Sequence, residues 1–432
     1  MTYNVDMILM ASWFTKIVSK IIPLLNAGNG YVYPGHLVQK FFPRIWDLVD
    51  ERILEVSGRE HVLKNSKDSQ DLKGSEISQN LGKVILVSGT NGKTTTATLL
   101  THLLREAGFK VTHNASGANL LNGILTSLLT DTDFLGRFTS DFFVLEVDEF
   151  NLPLVLQRLH TDFVVLTNLS RDQLDRYGEV DTILSRWEGA LKNVAVSCRS
   201  SGSMKKAQVP AMVLPKDYSP FDRLRSFWIA QGGQVLDFDL DDSFAKLTPL
   251  VGGFNTRNVN AAVTVAKALG LKDVVIEKAL KTFQAAFGRG EKIAYLEKEF
   301  YVFLAKNPAS FNNNLEMLLS GEIDFDTILF LLNDRIPDGR DVSWIYDIDP
   351  TPLAKVCKEA LVYVGGSRAL DMQIRLDYAG VSDFAGVFIG DASELGLSSA
   401  DVAGLEGKKI VVLPNYSAML EFRQLVTGQN IL

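Results

Sequence analysis

The run Val84-Ile-Leu-Val-Ser-Gly-Thr-Asn-Gly-Lys-Thr94 admits few folds. Val84 to Val87 are four consecutive apolar residues, which reads as a strand covered on both faces. From Thr94 to Ala107, residues Ala97, Leu100, Leu104 and Ala107 recur on one face of a helix. Gly89 and Gly92 lie between the two and let the backbone curl with its N–H groups pointing inward. Lys93 and the positive end of the helix would then flank a bound anion. The expected product is a phosphate cradle in an α/β protein, lined by Gly89, Thr90, Asn91, Gly92, Lys93, Thr94 and Thr95. Its spacing is that of a shortened P-loop: the pattern G-x-x-x-x-G-K-S/T asks for a glycine where Val87 stands. The expected ligand is a nucleoside triphosphate; the bland alternative is a strand-to-helix turn that binds nothing.

With 432 residues the chain exceeds what one core holds, so two or three domains are expected. Net charge of −7 gives no basic footprint for nucleic acid. The two cysteines, Cys198 and Cys357, are too few and too far apart for a disulfide framework or a cysteine-rich zinc module, which fits a reducing cytoplasmic setting. Met7 to Leu25 is apolar, but Lys16, Lys20 and Pro23 interrupt it too often for a membrane span. Two readings stay open for it. One is a helix packed on the body, the other an interfacial helix making peripheral membrane contact, which would suit a lipid-linked substrate.

Further along, Tyr33-Pro-Gly35 reads as a turn, Phe41 to Val56 as a helix, and Lys64 to Asn80 as a polar linker. Phe109 to Thr112 and Phe142 to Val147 read as the next strands. The second ends among Glu146, Asp148 and Glu149, at the strand edge where open α/β sheets bind ligands. Carboxylates this close repel one another unless a cation lies among them, so the segment is either a Mg²⁺ site or a solvated acidic turn. Phe163 to Thr167 is a fourth strand, running into Asn168-Leu-Ser-Arg-Asp-Gln-Leu-Asp-Arg-Tyr-Gly178.

Gly89-Thr-Asn-Gly-Lys-Thr94 resembles the Mur ligase superfamily, whose members use ATP to turn a carboxylate into an acyl phosphate and then an amide. The segment from Asn168 resembles that superfamily's T-N-x-x-x-D-H-L-D-R-x-G, with Gln173 where most members carry a metal-associated His. That exchange is similar to one branch, the MurT subunits of lipid II isoglutaminyl synthases. Gly253-Phe-Asn-Thr-Arg-Asn258 resembles G-x-H-N-x-x-N, so Asn255 and Asn258 either approach the nucleotide or cap a helix from Val259 to Leu269. Phe287-Gly-Arg-Gly-Glu291 is similar to the hinge motif G-R-x-E, in which Arg289 would meet a phosphate as a fork-shaped donor. From Phe300 the pattern restarts as strand, helix, strand. There Lys306-Asn-Pro-Ala309, Asn333 to Trp344 and Gly366 to Asp371 resemble the MurT C-terminal domain.

The resemblance implies three parts: an N-terminal helical segment and linker (1–82), a central P-loop ATPase domain with a parallel sheet (83–288), and a C-terminal Rossmann-like α/β domain (289–432). It implies amidation of the α-carboxyl of D-glutamate in the lipid II stem peptide, at the inner face of the membrane. ATP and Mg²⁺ would be used, with Lys93 and Glu146 catalytic, Thr94 and Glu146 holding the metal, and Asn168 near the nucleotide. Neither cysteine sits in the G-x-C-x-G turn of a glutaminase. The family draws its ammonia from a separate GatD-type glutaminase, whose Cys-His-Asp triad Asp341 would complete; otherwise Asp338 and Asp341 only stabilise a turn. The four-cysteine ribbon usual in the branch is missing, so no zinc site is expected. Gln173 and Lys306 replace histidines usual in amino-acid-adding Mur ligases, which sets that alternative back. An ATP-binding scaffold without catalysis is the other alternative.

Overall fold

The computed structural model describes residues 2–24, 32–56, 81–114, 118–169, 180–200, 209–284, 288–391 and 395–428. The polar linker, the segment 170–179 with Gln173, residues 115–117 and 285–287 lie outside them. The chain forms two compact units, one drawn from Met1–Leu169, Val180–Thr248 and Arg257–Phe283, the other built on Pro249–Thr256 and Gln284–Leu432.

The first unit holds a six-stranded parallel sheet: β1 (Lys83–Ser88), β2 (Val111–His113), β3 (Phe142–Glu146), β4 (Phe163–Leu166), β5 (Ala211–Pro215) and β6 (Val235–Phe238), in the order β2-β3-β1-β4-β5-β6. Val84 to Val87 are at most 1% exposed, as a central strand covered on both sides must be. The helix Lys93–Glu106 buries Ala97, Leu100 and Leu104 completely. β1 leads leftward to β2 and β3 leads rightward to β4, so the crossovers run in opposite directions from the carboxyl ends of β1 and β3, the edge at which open α/β sheets bind ligands. Register fixes what lines it: Val87 pairs with Glu146, and Ser88 with Leu166.

Several expectations need correcting. Tyr33-Pro-Gly35 is the first turn of the helix Tyr33–Phe41, a place where proline is tolerated. Gly35 serves close packing: a Cβ there would lie 2.0 Å from the Asn122 carbonyl oxygen, and its N–H donates to Thr126 Oγ1 at 2.9 Å. Pro43 breaks the expected helix from Phe41, which restarts as Ile45–Val56. The helix expected from Val259 begins at Gly253, so Asn255 and Asn258 lie within it and do not cap it.

The second unit holds β7 (Arg289–Tyr295), β8 (Lys298–Phe303), β9 (Thr327–Leu331), β10 (Leu361–Gly366), β11 (Gly386–Ile389) and β12 (Lys409–Pro414), in the order β11-β10-β9-β12-β8-β7. All pair in parallel except β7, which folds back on β8. The hinge motif is thus the start of an edge strand. Its Glu291 receives Arg423 through Nε at 2.8 Å and Nη2 at 2.8 Å, which ties β7 to the helix Tyr416–Thr427.

At the carboxyl edge of this sheet Asn333 and Asn415 clasp each other. Asn333 N donates to Asn415 Oδ1 at 3.1 Å, and Asn415 Nδ2 donates to the Asn333 carbonyl at 2.6 Å. The Asn333 side chain also accepts from Ser367 N at 3.0 Å and donates to Glu421 Oε1 at 3.2 Å. Asn415→Ala removes both bonds of the clasp and strands the buried N–H and carbonyl of Asn333, at a cost of about 1–3 kcal/mol each. It is expected to lower the urea midpoint of this unit, and an unchanged midpoint would show that the clasp contributes nothing.

Candidate functional site

The phosphate loop is shaped from beneath by the end of β4. Thr90 N donates to the Asn168 carbonyl and Asn91 N to Asn168 Oδ1, both at 3.0 Å, while Asn168 Nδ2 returns a bond to the Asn91 carbonyl at 2.9 Å. Thr167 Oγ1 donates to the same carbonyl at 2.6 Å. Gly89 (φ 129°) and Gly92 (φ 85°) hold backbone angles that favour glycine. A Cβ on Gly89 would stand 2.4 Å from Thr167 Oγ1, and one on Gly92 would stand 2.2 Å from Asn258 Oδ1. Asn258 therefore sits against the loop, its Oδ1 also 3.5 Å from Thr96 Oγ1. Asn255 donates to the Val251 carbonyl at 2.8 Å. Of Arg289 the structure describes the backbone, in β7.

With two loop amides taken by Asn168, the cradle rests on the first turn of Lys93–Glu106. The N-terminal amides of a helix lack intrahelical acceptors, and Gly92 at the N-cap has no side chain to offer one. Thr95 is 3% exposed, and Thr94 is half-buried beside it. Lys93, 7% exposed, folds back: its Nζ donates to the Gly89 carbonyl at 2.5 Å, the Thr90 carbonyl at 3.1 Å and Glu149 Oε2 at 3.0 Å.

The three acids after β3 are no solvated turn, since Glu146, Asp148 and Glu149 are 4%, 7% and 3% exposed. Nor do they form one cage: among the described residues, no group of three or more His, Cys, Asp or Glu is arranged to hold a metal. Each acid has its own task. Asp148 Oδ1 accepts from Phe150 N at 3.1 Å and Asn151 Nδ2 at 3.2 Å, Glu149 pairs with Lys93, and Glu146 Oε1 accepts from Asn119 Nδ2 at 3.1 Å. Glu146 Oε2 is buried and has no hydrogen-bond partner among the described residues. An unpartnered buried carboxylate oxygen at this edge fits a hard cation. Mg²⁺ commonly takes one or two protein oxygens and completes its shell with phosphate and water.

In the second unit, Asp338 and Asp341 flank the loop between β9 and β10. Asp338 Oδ1 accepts from Ser417 N at 2.9 Å and its other oxygen from the Ser417 hydroxyl, and burial pushes its carboxyl above the usual range. Asp341 is exposed and accepts from Ser343 N at 2.8 Å, a bond that holds it below the usual range. One acid anchors the loop and the other faces solvent. Burial pushes the Cys357 thiol up to about 12 and raises that of Cys198, so neither is poised as a thiolate.

The family of Mur ligase middle domains matches residues 87–193, and the family of MurT ligase C-terminal domains matches residues 304–419. The chain carries a Mur ligase middle domain and a MurT ligase C-terminal domain. It is 27% identical over 393 residues to the MurT subunit of lipid II isoglutaminyl synthase (glutamine-hydrolyzing) of Staphylococcus aureus, covering 80% of this chain and 87% of that one. To the corresponding subunit of Streptococcus pneumoniae it is 28% identical over 410 residues, covering 82% and 90%. The MurF ligase of Thermotoga maritima, solved in complex with ADP, shares the fold with a TM-score of 0.57 at 17% identity, covering 84% of this chain and 86% of that one.

Within this Mur-type unit, two parts of the site carry no sequence signal. Asn114 is fully buried and brackets Glu146, accepting from its N–H at 2.8 Å and donating to its carbonyl at 2.8 Å. The pairing of Glu149 with Lys93 spans 56 positions and is equally silent in sequence. Because that carboxylate competes with phosphate for one ammonium, Glu149→Gln is expected to tighten binding of a triphosphate analogue by about tenfold. Titration with a fluorescent nucleotide reads this directly, and weaker binding would mean that Glu149 holds Lys93 where phosphate needs it.

Proposed function

We propose that this carbon–nitrogen ligase amidates the α-carboxyl of D-glutamate in the stem peptide of lipid II, giving D-isoglutamine, with ammonia supplied by a partner glutaminase. The observation that carries this reading is the extent of the likeness. It spans most of two subunits named as isoglutaminyl synthases, and takes in both the phosphate loop and the Asp338–Asp341 segment.

A carboxylate is a poor electrophile, so one of its oxygens first attacks the γ-phosphorus of ATP. The bond to the β,γ-bridging oxygen breaks and ADP leaves with the electron pair. Ammonia then adds to the acyl phosphate carbon and loses a proton, and inorganic phosphate departs. Charge management is the chief demand on the protein. The helix N-terminus at Lys93–Thr95 faces the phosphates, and Lys93 exchanges Glu149 for a phosphate oxygen. Glu146 and Thr94 would hold Mg²⁺, which supplies further compensation for the transferring phosphoryl group. Asn168 and Asn258 keep the loop in shape, and the likeness to the family's motifs would add Asn255 and Arg289 as nucleotide-binding residues. Lys93→Ala is expected to cut substrate-dependent ADP release by roughly 100-fold or more; unaltered turnover would remove Lys93 from the chemistry.

The ammonia comes from a GatD-like subunit. Asp341 orients that subunit's histidine across the interface, since a triad is defined by placement and not by chain. Its exposure and its depressed carboxyl suit a group kept ionised for a partner. Asp341→Asn is expected to abolish amidation driven by glutamine while sparing amidation driven by ammonium. Equal loss of both in a mass-spectrometric assay of the stem peptide would dismiss the assignment.

A further inference from the structure

The helix Thr2–Leu24 is apolar on two opposite faces. One packs on the first unit, with Ile8 and Ala11 fully buried, Ile22 at 7% exposure, and Ser12 Oγ donating to the Leu129 carbonyl at 3.0 Å. The other carries Met10, Trp13, Ile17 and Ile21, spaced three or four residues apart and exposed at 55%, 51%, 51% and 45%. Phe134, 70% exposed, continues this face, since Trp13 Nε1 donates to its carbonyl at 3.3 Å. Phe41, 63% exposed, joins it through the ring of Phe14, centroids 6.4 Å apart. Isolated exposed apolar residues need no explanation, whereas a contiguous group of this kind marks a surface that something covers.

From Met7 to Phe42 stand Lys16, Lys20 and Lys40 and no Asp or Glu, in a chain whose net charge is −7. Beyond that stretch, Asp131 and Asp133 beside Phe134 act on Lys16, and Asp47 pairs with Arg44. Lys20, Lys40 and Arg44 are exposed. No helix among the described residues is long and apolar enough to cross a membrane. Indole and aliphatic side chains on one stripe with lysines beside it are the groups that settle at the boundary between acyl chains and anionic headgroups. A symmetric pairing with a second copy would instead turn this basic rim on itself.

We infer that this face docks on an anionic phospholipid bilayer, with the helix lying in the plane of the interface. The inference stands on this surface and survives failure of the ligase reading. If both hold, the nucleotide-binding unit is brought to the surface where a lipid-linked substrate resides.

Flotation of the full chain with vesicles containing phosphatidylglycerol, and with vesicles of phosphatidylcholine alone, tests it. The protein should float with the first, weaken as salt is added, and bind the second about tenfold less or more weakly still. The double substitution Ile17→Glu, Ile21→Glu should lower the bound fraction about tenfold, with thermal midpoint and nucleotide binding unchanged because both side chains are about half exposed and make no hydrogen bond. Brominated lipid should quench indole fluorescence in the wild type and less in Trp13→Phe. Failure to float with either vesicle, equal binding to both, or undiminished binding of the double variant would overturn the proposal. So would a double variant whose only change is loss of self-association, which would give this face to a second copy.

Discussion

The alignment of β1 between β3 and β4 is the constraint on which the site depends. Pairing Val87 with Glu146 and Ser88 with Leu166 delivers three strand ends to one edge at the same height. The glycine loop leaves from the first, the Glu146 carboxylate ends the second, and Thr167 and Asn168 follow the third. A slip of one residue would turn Glu146 to the other face of the sheet and leave the loop without Asn168 beneath it. The register is in turn secured by apolar residues buried on both faces, so the core sets the geometry of a polar site it does not touch.

That site is crowded with charge removed from water. An unpaired buried ion costs several kcal/mol, and such groups persist only when partnered or when a ligand completes them. Lys93 and Glu149 neutralise each other, Asp148 is spent on the turn after β3, and Glu146 keeps one oxygen unclaimed. The division is economical in chemical terms. Of three neighbouring acids, one balances the lysine, one builds the backbone, and one keeps an oxygen without a partner among the described residues.

Much of this could be read from the chain. The strand, loop and helix from Val84 to Ala107 announced themselves because each has its own period and the glycines fall between them. The α/β pattern of the second unit was legible from its alternating apolar runs. What could not be read was anything set by contact across sequence. Gly35 looked like a turn residue because close helix packing and positive φ both call for glycine, and only the nearby Asn122 carbonyl separates the two. The acids after β3 looked like one cluster because adjacency in sequence conceals that their side chains diverge. β6 and the strand made from the hinge motif were missed because charged residues interrupt their apolar pattern, Asp237 in the one and Arg289, Glu291 and Lys292 in the other.

The ion pair inside the phosphate loop also bears on how a turnover finishes. An empty loop with a bare ammonium would cling to whichever phosphate compound it last held, and the exit of spent nucleotide would become the slow step. On the proposed reading, Glu149 within reach of Lys93 would give the ammonium somewhere to return as ADP leaves. A carboxylate that weakens capture would in that case also hasten clearance.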